Sequence, residues 1–173
     1  MNSSTPRRLD IVAAVGLAIG GVFGLAGTLA GDAALRQSFW AIDGVGLVVA
    51  TTLLAVRFLR SGDDCVAAGF LVFAIGEGLL VSGNAAGLER SVPSFGGGVA
   101  LWAAGLLLIS IPAALATWVR WAGMAAAVPF AVVAARISSG EVLLPTTAPL
   151  PFFGYPLLVL TFIGWIAALL KRA

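Results

Sequence analysis

Long apolar runs separated by short polar segments dominate the pattern of this chain. A helix needs about 20 apolar residues to cross a bilayer core of about 30 Å, and six runs reach or approach that length. They cover residues 11–30, 39–59, 65–83, 97–118, 119–137 and 152–170. We therefore predict an all-α integral membrane protein, in which a bundle of six transmembrane helices forms one domain over residues 11–173 and follows an N-terminal tail at residues 1–10.

The composition supports a protein embedded in lipid. Of the 173 residues, 60% are hydrophobic and 10% are charged, and the mean hydropathy is +1.06. A soluble domain has about 25% charged residues, and a soluble domain of this size could not hide so much apolar surface from water. A net charge of only +2 and a single cysteine argue against a nucleic-acid binder and against a disulfide-stabilised fold.

The basic residues predict the orientation of the bundle. If the N-terminus is cytoplasmic, that side holds seven cations: Arg7, Arg8, Arg57, Arg60, Arg120, Lys171 and Arg172. The other side holds three: Arg36, Arg90 and Arg136. Cytoplasmic loops carry the excess of positive charge, so we expect both termini and the tail in the cytoplasm, which requires an even number of spans. Nine Arg against one Lys, in a chain rich in Ala and Gly, suggests a bacterial source. Together with the six spans, this predicts a multi-pass protein of the bacterial inner membrane.

The fourth and fifth runs are divided only by a short segment that contains Trp118, Arg120 and Trp121. Trp residues beside a cation are typical of the headgroup layer, so we predict a tight helical hairpin there. The alternative is one long tilted helix from which Arg120 extends to the membrane surface. Pro112 and Pro129 are expected inside the fourth and fifth helices, where each removes a backbone hydrogen bond.

The connection before the last helix is unusual for an external loop. Residues 141–156 contain four prolines and are strongly apolar. We expect this segment either to rest on the outer headgroup layer or to cap the bundle.

Glycine spacing predicts close helix packing. Gly16, Gly20 and Gly24 recur every four residues and share one face of the first helix, where small residues let another helix approach closely. We favour packing within the bundle, and the alternative is a homo-oligomer that forms through this face. Gly78 and Ser82 repeat the spacing in the third helix.

Two acidic residues lie inside apolar runs. By the helical rise of about 1.5 Å per residue, Glu77 lies about 4 Å and Asp43 about 8 Å outward of the bilayer mid-plane. The second and third helices are joined by a short loop, so the two carboxyls are expected at one level. An ionised carboxylate at this depth is costly and no cation is predicted near it, so we expect Glu77 to be protonated or hydrated. Candidate hydrogen-bond partners are Thr51, Thr52, Ser110, Tyr155 and Thr161.

An ionisable side chain within the membrane indicates a functional site. We predict that Glu77 and Asp43, with Thr51, Ser110 and Tyr155 as possible members, form a ligand-binding or proton-titrating site. The preferred function is the binding or translocation of a small solute or a proton. One alternative is a non-catalytic lipid-binding, scaffold or accessory subunit in which the acids only hold helices together. The other is an intramembrane enzyme that uses the two carboxyls as acid and base on a lipid-like substrate.

The sequence also argues against several chemistries. It has no histidine and Cys65 stands alone, so we predict no catalytic residues, no metal site and no cofactor. The glycines at residues 96–98 lack the Lys of a phosphate-binding loop. An enzyme is therefore the least favoured class. The expected partners are the lipid bilayer, a small-molecule or lipid ligand and, as above, a second copy of the chain, with no nucleic acid.

Overall fold

The structure, a computed structural model, describes residues 4–171, with side chains from residue 8 onward. Over this range it contains the helices α1 (Ser4–Leu29), α2 (Ala33–Ser61), α3 (Asp64–Asn84), α4 (Val92–Ser110), α5 (Thr117–Ser138) and α6 (Gly154–Lys171). All six are long and apolar enough to cross a membrane. This confirms the prediction of an all-helical chain with six candidate membrane spans. Residues 4–10, expected to form a tail, already belong to α1.

The six helices form a ring in chain order. Each helix packs antiparallel on the next, and α6 packs back against α1. The start of α1 and the end of α6 therefore lie at one end of the bundle, which we call the terminal end. The α1–α2, α3–α4 and α5–α6 connections lie at the opposite end, which we call the distal end.

Local capping explains where α1 and α2 meet. The Asp32 side chain accepts a hydrogen bond of 2.8 Å from the Leu35 backbone N–H and so caps the N-terminus of α2. Arg36 donates a hydrogen bond of 2.6 Å to the Ala30 carbonyl, which satisfies a carbonyl that the end of α1 leaves without a helical partner. At its other end α2 stops at Gly62, whose φ of 83° is left-handed and favours glycine.

The boundary between α4 and α5 differs from the prediction. The turn occupies residues 111–116, so Trp118 and Trp121 lie in the first turns of α5 rather than between the helices. Pro112 stands in this turn, and its predicted place inside a helix was wrong, whereas Pro129 is inside α5 as predicted. The turn residues are themselves apolar, so hydropathy could not separate them from the helix. The alternative of one long helix is also wrong.

Arg120 stabilises the end of α4. Its guanidinium donates hydrogen bonds of 2.8 Å to the Ser110 carbonyl and 2.7 Å to the Ile111 carbonyl. These are carbonyl groups that a helix C-terminus leaves without partners, and a cation there also interacts favourably with the helix dipole. Arg120 therefore joins α5 to α4 across the turn.

The glycine face of α1 packs against α2 within the same chain. A Cβ atom built at Gly16 would lie 2.6 Å from the Gly46 carbonyl oxygen, and one built at Gly20 would overlap Leu47. This is the arrangement we favoured. A homo-oligomer stays a prediction and would have to use another surface.

A second glycine contact joins α3 to α4. A Cβ at Gly69 would lie 2.9 Å from the Gly105 carbonyl oxygen, and one at Gly76 would lie 2.8 Å from that of Gly98. On each helix the two glycines are seven residues apart, so they return to one face after two turns. Gly78, by contrast, has no neighbour within 4 Å of such a Cβ, so the predicted packing role of its stripe was wrong.

Aromatic side chains fill the centre of the ring toward the terminal end. Phe70 lies 4.8 Å from Trp165 between ring centroids, and Phe73 stacks on Trp102 at 5.3 Å. Further contacts connect these rings into one cluster with Phe58, Phe130 and Phe162. This aromatic cluster forms the floor of the space described next.

Candidate functional site

The ring contains a partly open cavity of about 80 Å³ in its distal half. The wall is formed by α1, α2, α3, α4, α6 and the loop residue Pro145. Its polar and aromatic lining residues are Thr28, Trp40, Asp43, Glu77, Asn84, Ser91, Phe95, Trp102, Tyr155 and Phe162. An apolar cavity of about 150 Å³ admits benzene, so this space suits a ligand of a few heavy atoms or several waters.

Asp43 reaches the cavity from α2 and is 8% exposed. Its carboxyl lies over the glycine face of α1, because Cβ atoms at Gly20 and Gly24 would lie 3.2 Å from its Oδ1 and 3.0 Å from its Oδ2. The two glycines thus leave the space that the carboxyl occupies. Within the described part of the chain, Asp43 Oδ1 is buried without a hydrogen-bond partner.

Glu77 reaches the same cavity from α3 and is 2% exposed. Its Oε1 lies against α2, 3.1 Å from where a Cβ at Gly44 would stand. Its Oε2 and the neighbouring Trp102 indole nitrogen both lack a hydrogen-bond partner among the described residues, although the indole lies beside the carboxyl. Asp43 and Glu77 are close enough to interact electrostatically, and the cavity lining contains no Lys or Arg from residues 8–171.

Tyr155 connects the cavity to the loop above it. Its hydroxyl donates a hydrogen bond of 3.0 Å to the Pro145 carbonyl. Leu143, Pro145 and Pro151 are buried, so the proline-rich segment folds inward over the distal end. This burial agrees with the predicted cap, while Val142 and Phe153 of the same segment are exposed.

The loop begins at an exposed ion pair. Arg136 donates hydrogen bonds of 3.0 Å and 2.9 Å to the two carboxylate oxygens of Glu141. These hydrogen bonds from Arg136 lower the pKa of Glu141 below its ordinary value, because they favour the ionised form. The pair joins the end of α5 to the start of the loop.

The structure brings together three of the five predicted site residues, Asp43, Glu77 and Tyr155. Thr51 and Ser110 do not line the cavity. The Thr51 hydroxyl donates a 2.6 Å hydrogen bond to a carbonyl one turn earlier in its own helix, a common arrangement for Thr in helices that requires no outside partner. Ser110 ends α4 at the terminal end, far along the bundle from the acids.

Seven polar or aromatic cavity residues were not assigned to the site from the sequence, namely Thr28, Trp40, Asn84, Ser91, Phe95, Trp102 and Phe162. The Trp40 indole donates to the Gly24 carbonyl at 3.3 Å, and the Asn84 amide donates to the Gln37 carbonyl at 3.4 Å. Trp40 lies one turn before Asp43, so helical spacing alone could have placed it on the same face. Trp102 lies inside the fourth apolar run rather than at its end, which allows it to line a pocket, but its proximity to Glu77 depends on the register between α3 and α4.

Comparisons of the chain with protein-family models, curated proteins and solved structures find no match. Among the described residues, no group of three or more His, Cys, Asp or Glu side chains could hold a metal ion. The candidate functional site is the cavity with its two acids, Asp43 and Glu77.

Proposed function

We propose that this is a multi-pass protein of a bacterial inner membrane that binds a small solute or proton between Asp43 and Glu77 and transfers it across the bundle. One observation carries the proposal. Two carboxyls from neighbouring helices are buried in the same cavity, and each has an oxygen with no hydrogen-bond partner in the described chain.

The missing hydrogen bonds favour a site over a structural role. A buried polar atom left without a partner costs about 1–3 kcal/mol, and such atoms are rare in folded proteins. If the acids served only to hold helices together, their oxygens would be expected to bond across to another helix. Among the described residues, Asp43 Oδ1 has no such bond and is left available to a ligand, a proton or water, and the indole N–H of Trp102, which lies beside Glu77, does not complete a hydrogen bond with Glu77 Oε2.

The charge distribution supports an orientation with both termini in the cytoplasm. Arg57, Arg60, Arg120 and Lys171 belong to helix ends at the terminal end, whereas Arg36 and Arg136 belong to the distal end. Under the positive-inside rule, the cavity then lies in the outer half of the membrane, beneath the proline-rich cap.

The aromatic cluster separates the cavity from the terminal end. A solute that passes through the bundle therefore requires a rearrangement of side chains such as Phe73, Phe162 and Trp165. For this reason we propose a gated carrier and not a continuously open channel. Transporters commonly bind their substrates within the bundle and open to one side at a time.

The experiment compares the natural protein with Glu77→Gln and Thr51→Val. Thr51→Val is the matched control, because it removes a buried polar group outside the cavity and nearly conserves volume. Each protein is reconstituted into liposomes that contain a pH-sensitive dye, and proton flux is followed after a potassium diffusion potential is imposed. Native mass spectrometry of the gently extracted proteins reports any retained small molecule.

We expect proton flux, or a specific retained small molecule, in the natural protein and in Thr51→Val, and its loss in a folded Glu77→Gln variant. Absence of both signals in the natural protein would contradict the proposal. A co-purifying protein whose association survives Glu77→Gln would instead support the scaffold alternative.

A further inference from the structure

We infer that the ligand of the cavity is a small organic ammonium ion, held between the carboxylates of Asp43 and Glu77 and contacted by aromatic side chains. This inference depends on the proposed binding function and adds the chemical class of the ligand. It follows from the charge of the cavity, from the atoms left without partners and from the lining.

The charge of the residues that line the cavity favours a cation as the ligand. The described lining contains two acids and no base, so ionised carboxylates there have no counter-charge from the protein. An ammonium ion would supply that charge, since a buried carboxylate is stable only when it is paired or hydrogen-bonded. A carboxylate or phosphate ligand would instead add to the repulsion between Asp43 and Glu77.

The carboxyl oxygens that lack a hydrogen-bond partner favour a ligand that donates hydrogen bonds. An ammonium group carries several N–H donors and no acceptor. Asp43 Oδ1 and Glu77 Oε2 are buried acceptors that receive no hydrogen bond from the described residues, although the Trp102 indole lies beside the Glu77 carboxyl. One ammonium group placed between α2 and α3 could donate to both carboxylates, and hydrogen bonds of this charged kind are the strongest that proteins form.

The lining distinguishes an organic cation from a metal ion. Five aromatic side chains contribute to the wall: Trp40, Phe95, Trp102, Tyr155 and Phe162. Aromatic rings attract organic cations and also contact their alkyl groups. Calcium requires six or more oxygen ligands, and magnesium keeps a shell of water, whereas most of this wall is apolar. The volume of about 80 Å³ restricts the ligand to a few heavy atoms.

The test measures binding of ethylammonium by isothermal titration calorimetry to the full chain in lipid nanodiscs. Ethanol is the neutral probe of matched size, acetate is the anionic probe, and sodium is the inorganic cation. The same titrations are made with Glu77→Gln, Asp43→Asn and the control Thr51→Val. Tryptophan fluorescence provides a second signal, because Trp40 and Trp102 line the cavity.

We expect saturable binding of ethylammonium and no comparable binding of ethanol, acetate or sodium. Either Glu77→Gln or Asp43→Asn should weaken ethylammonium binding by roughly tenfold or more, the effect of losing one charge-assisted hydrogen bond, while Thr51→Val should leave it unchanged. Equal binding of ethanol, preference for sodium, or full affinity in both acid variants would overturn the ligand class.

The flux and binding measurements together distinguish failure of the ammonium inference from failure of the proposed function. Proton flux that depends on Glu77 without any ethylammonium binding would retain the proposed function and reject the ammonium ligand. Absence of both proton flux and binding of every probe would reject the two together.

Discussion

The contact between α3 and α4 gives a prediction whose size follows from the structure. In Gly69→Ala, the new Cβ would lie 2.9 Å from both the Gly105 carbonyl oxygen and the Ile109 backbone nitrogen. Both are backbone atoms of the facing helix, so no side-chain rotation can relieve the overlap and the helices must separate. Overpacking of this kind costs about 1–3 kcal/mol.

Gly78→Ala is the matched control in the same helix. Its Cβ would have no neighbour within 4 Å, so it introduces no overlap. Both substitutions gain the better helix propensity of Ala, roughly 1 kcal/mol. We therefore expect Gly78→Ala to be neutral or stabilising by up to about 1 kcal/mol, and Gly69→Ala to be less stable than Gly78→Ala by about 1–3 kcal/mol.

The assay is unfolding in mixed micelles by titration with a denaturing detergent, followed by helix circular dichroism. Gly69 lies away from the cavity lining, so ligand binding should not complicate the comparison. Equal midpoints for the two variants would show that α3 and α4 are not in close backbone contact at Gly69, and would contradict this prediction.

Three further predictions concern other parts of the molecule. Replacing Arg120 with Ala should destabilise the bundle by about 1 kcal/mol or more, because the C-terminal carbonyls of α4 lose two charged hydrogen bonds; an unchanged unfolding midpoint would contradict this. Glu141 should stay ionised below the ordinary glutamate pKa of 4.5. Its contribution to the free energy of unfolding is therefore present above pH 4.5 and is lost as the pH falls through the lowered pKa. Carboxyl-resolved NMR should show that the pKa of Glu141 returns to its ordinary value in Arg136→Gln. If the termini are cytoplasmic, a membrane-impermeant maleimide added to spheroplasts should not label the exposed Cys65. The same reagent should label Ala148→Cys in a Cys65→Ser background. The reverse labelling pattern would show that the orientation is opposite to the one proposed.

The helix boundaries show where sequence reasoning succeeds and where it fails. The start and end of α3 were predicted within one residue, because charged residues and Gly62 precede it and a polar turn follows it. The end of α4 was placed eight residues too late. Its turn contains only one residue that cannot continue a helix well, Pro112, and the remaining turn residues are as apolar as the helix itself.

The candidate site was predictable in part. Asp43 and Glu77 stand out as acids in apolar runs, and a short loop between their helices indicates that they are neighbours. Tyr155 was included among the possible members, whereas Trp102 and Asn84 were not. Their positions depend on how α3, α4 and α6 rotate and slide against one another, and a hydropathy pattern contains no information about that register.

The sequence by itself determined the number of membrane-spanning segments and that they are helices. Each span must contain enough apolar residues to cross the lipid core and must make its backbone hydrogen bonds within itself. It also identified the two acids, since charge at that depth is rare whatever the packing. Only the tertiary structure decided that Gly20 and Gly24 make room for the Asp43 carboxyl, that Gly69 and Gly76 rather than Gly78 join α3 to α4, and that the proline-rich loop places Pro145 in the cavity wall. These features arise from tertiary contacts, whose geometry depends on how many side chains fit together at the same time.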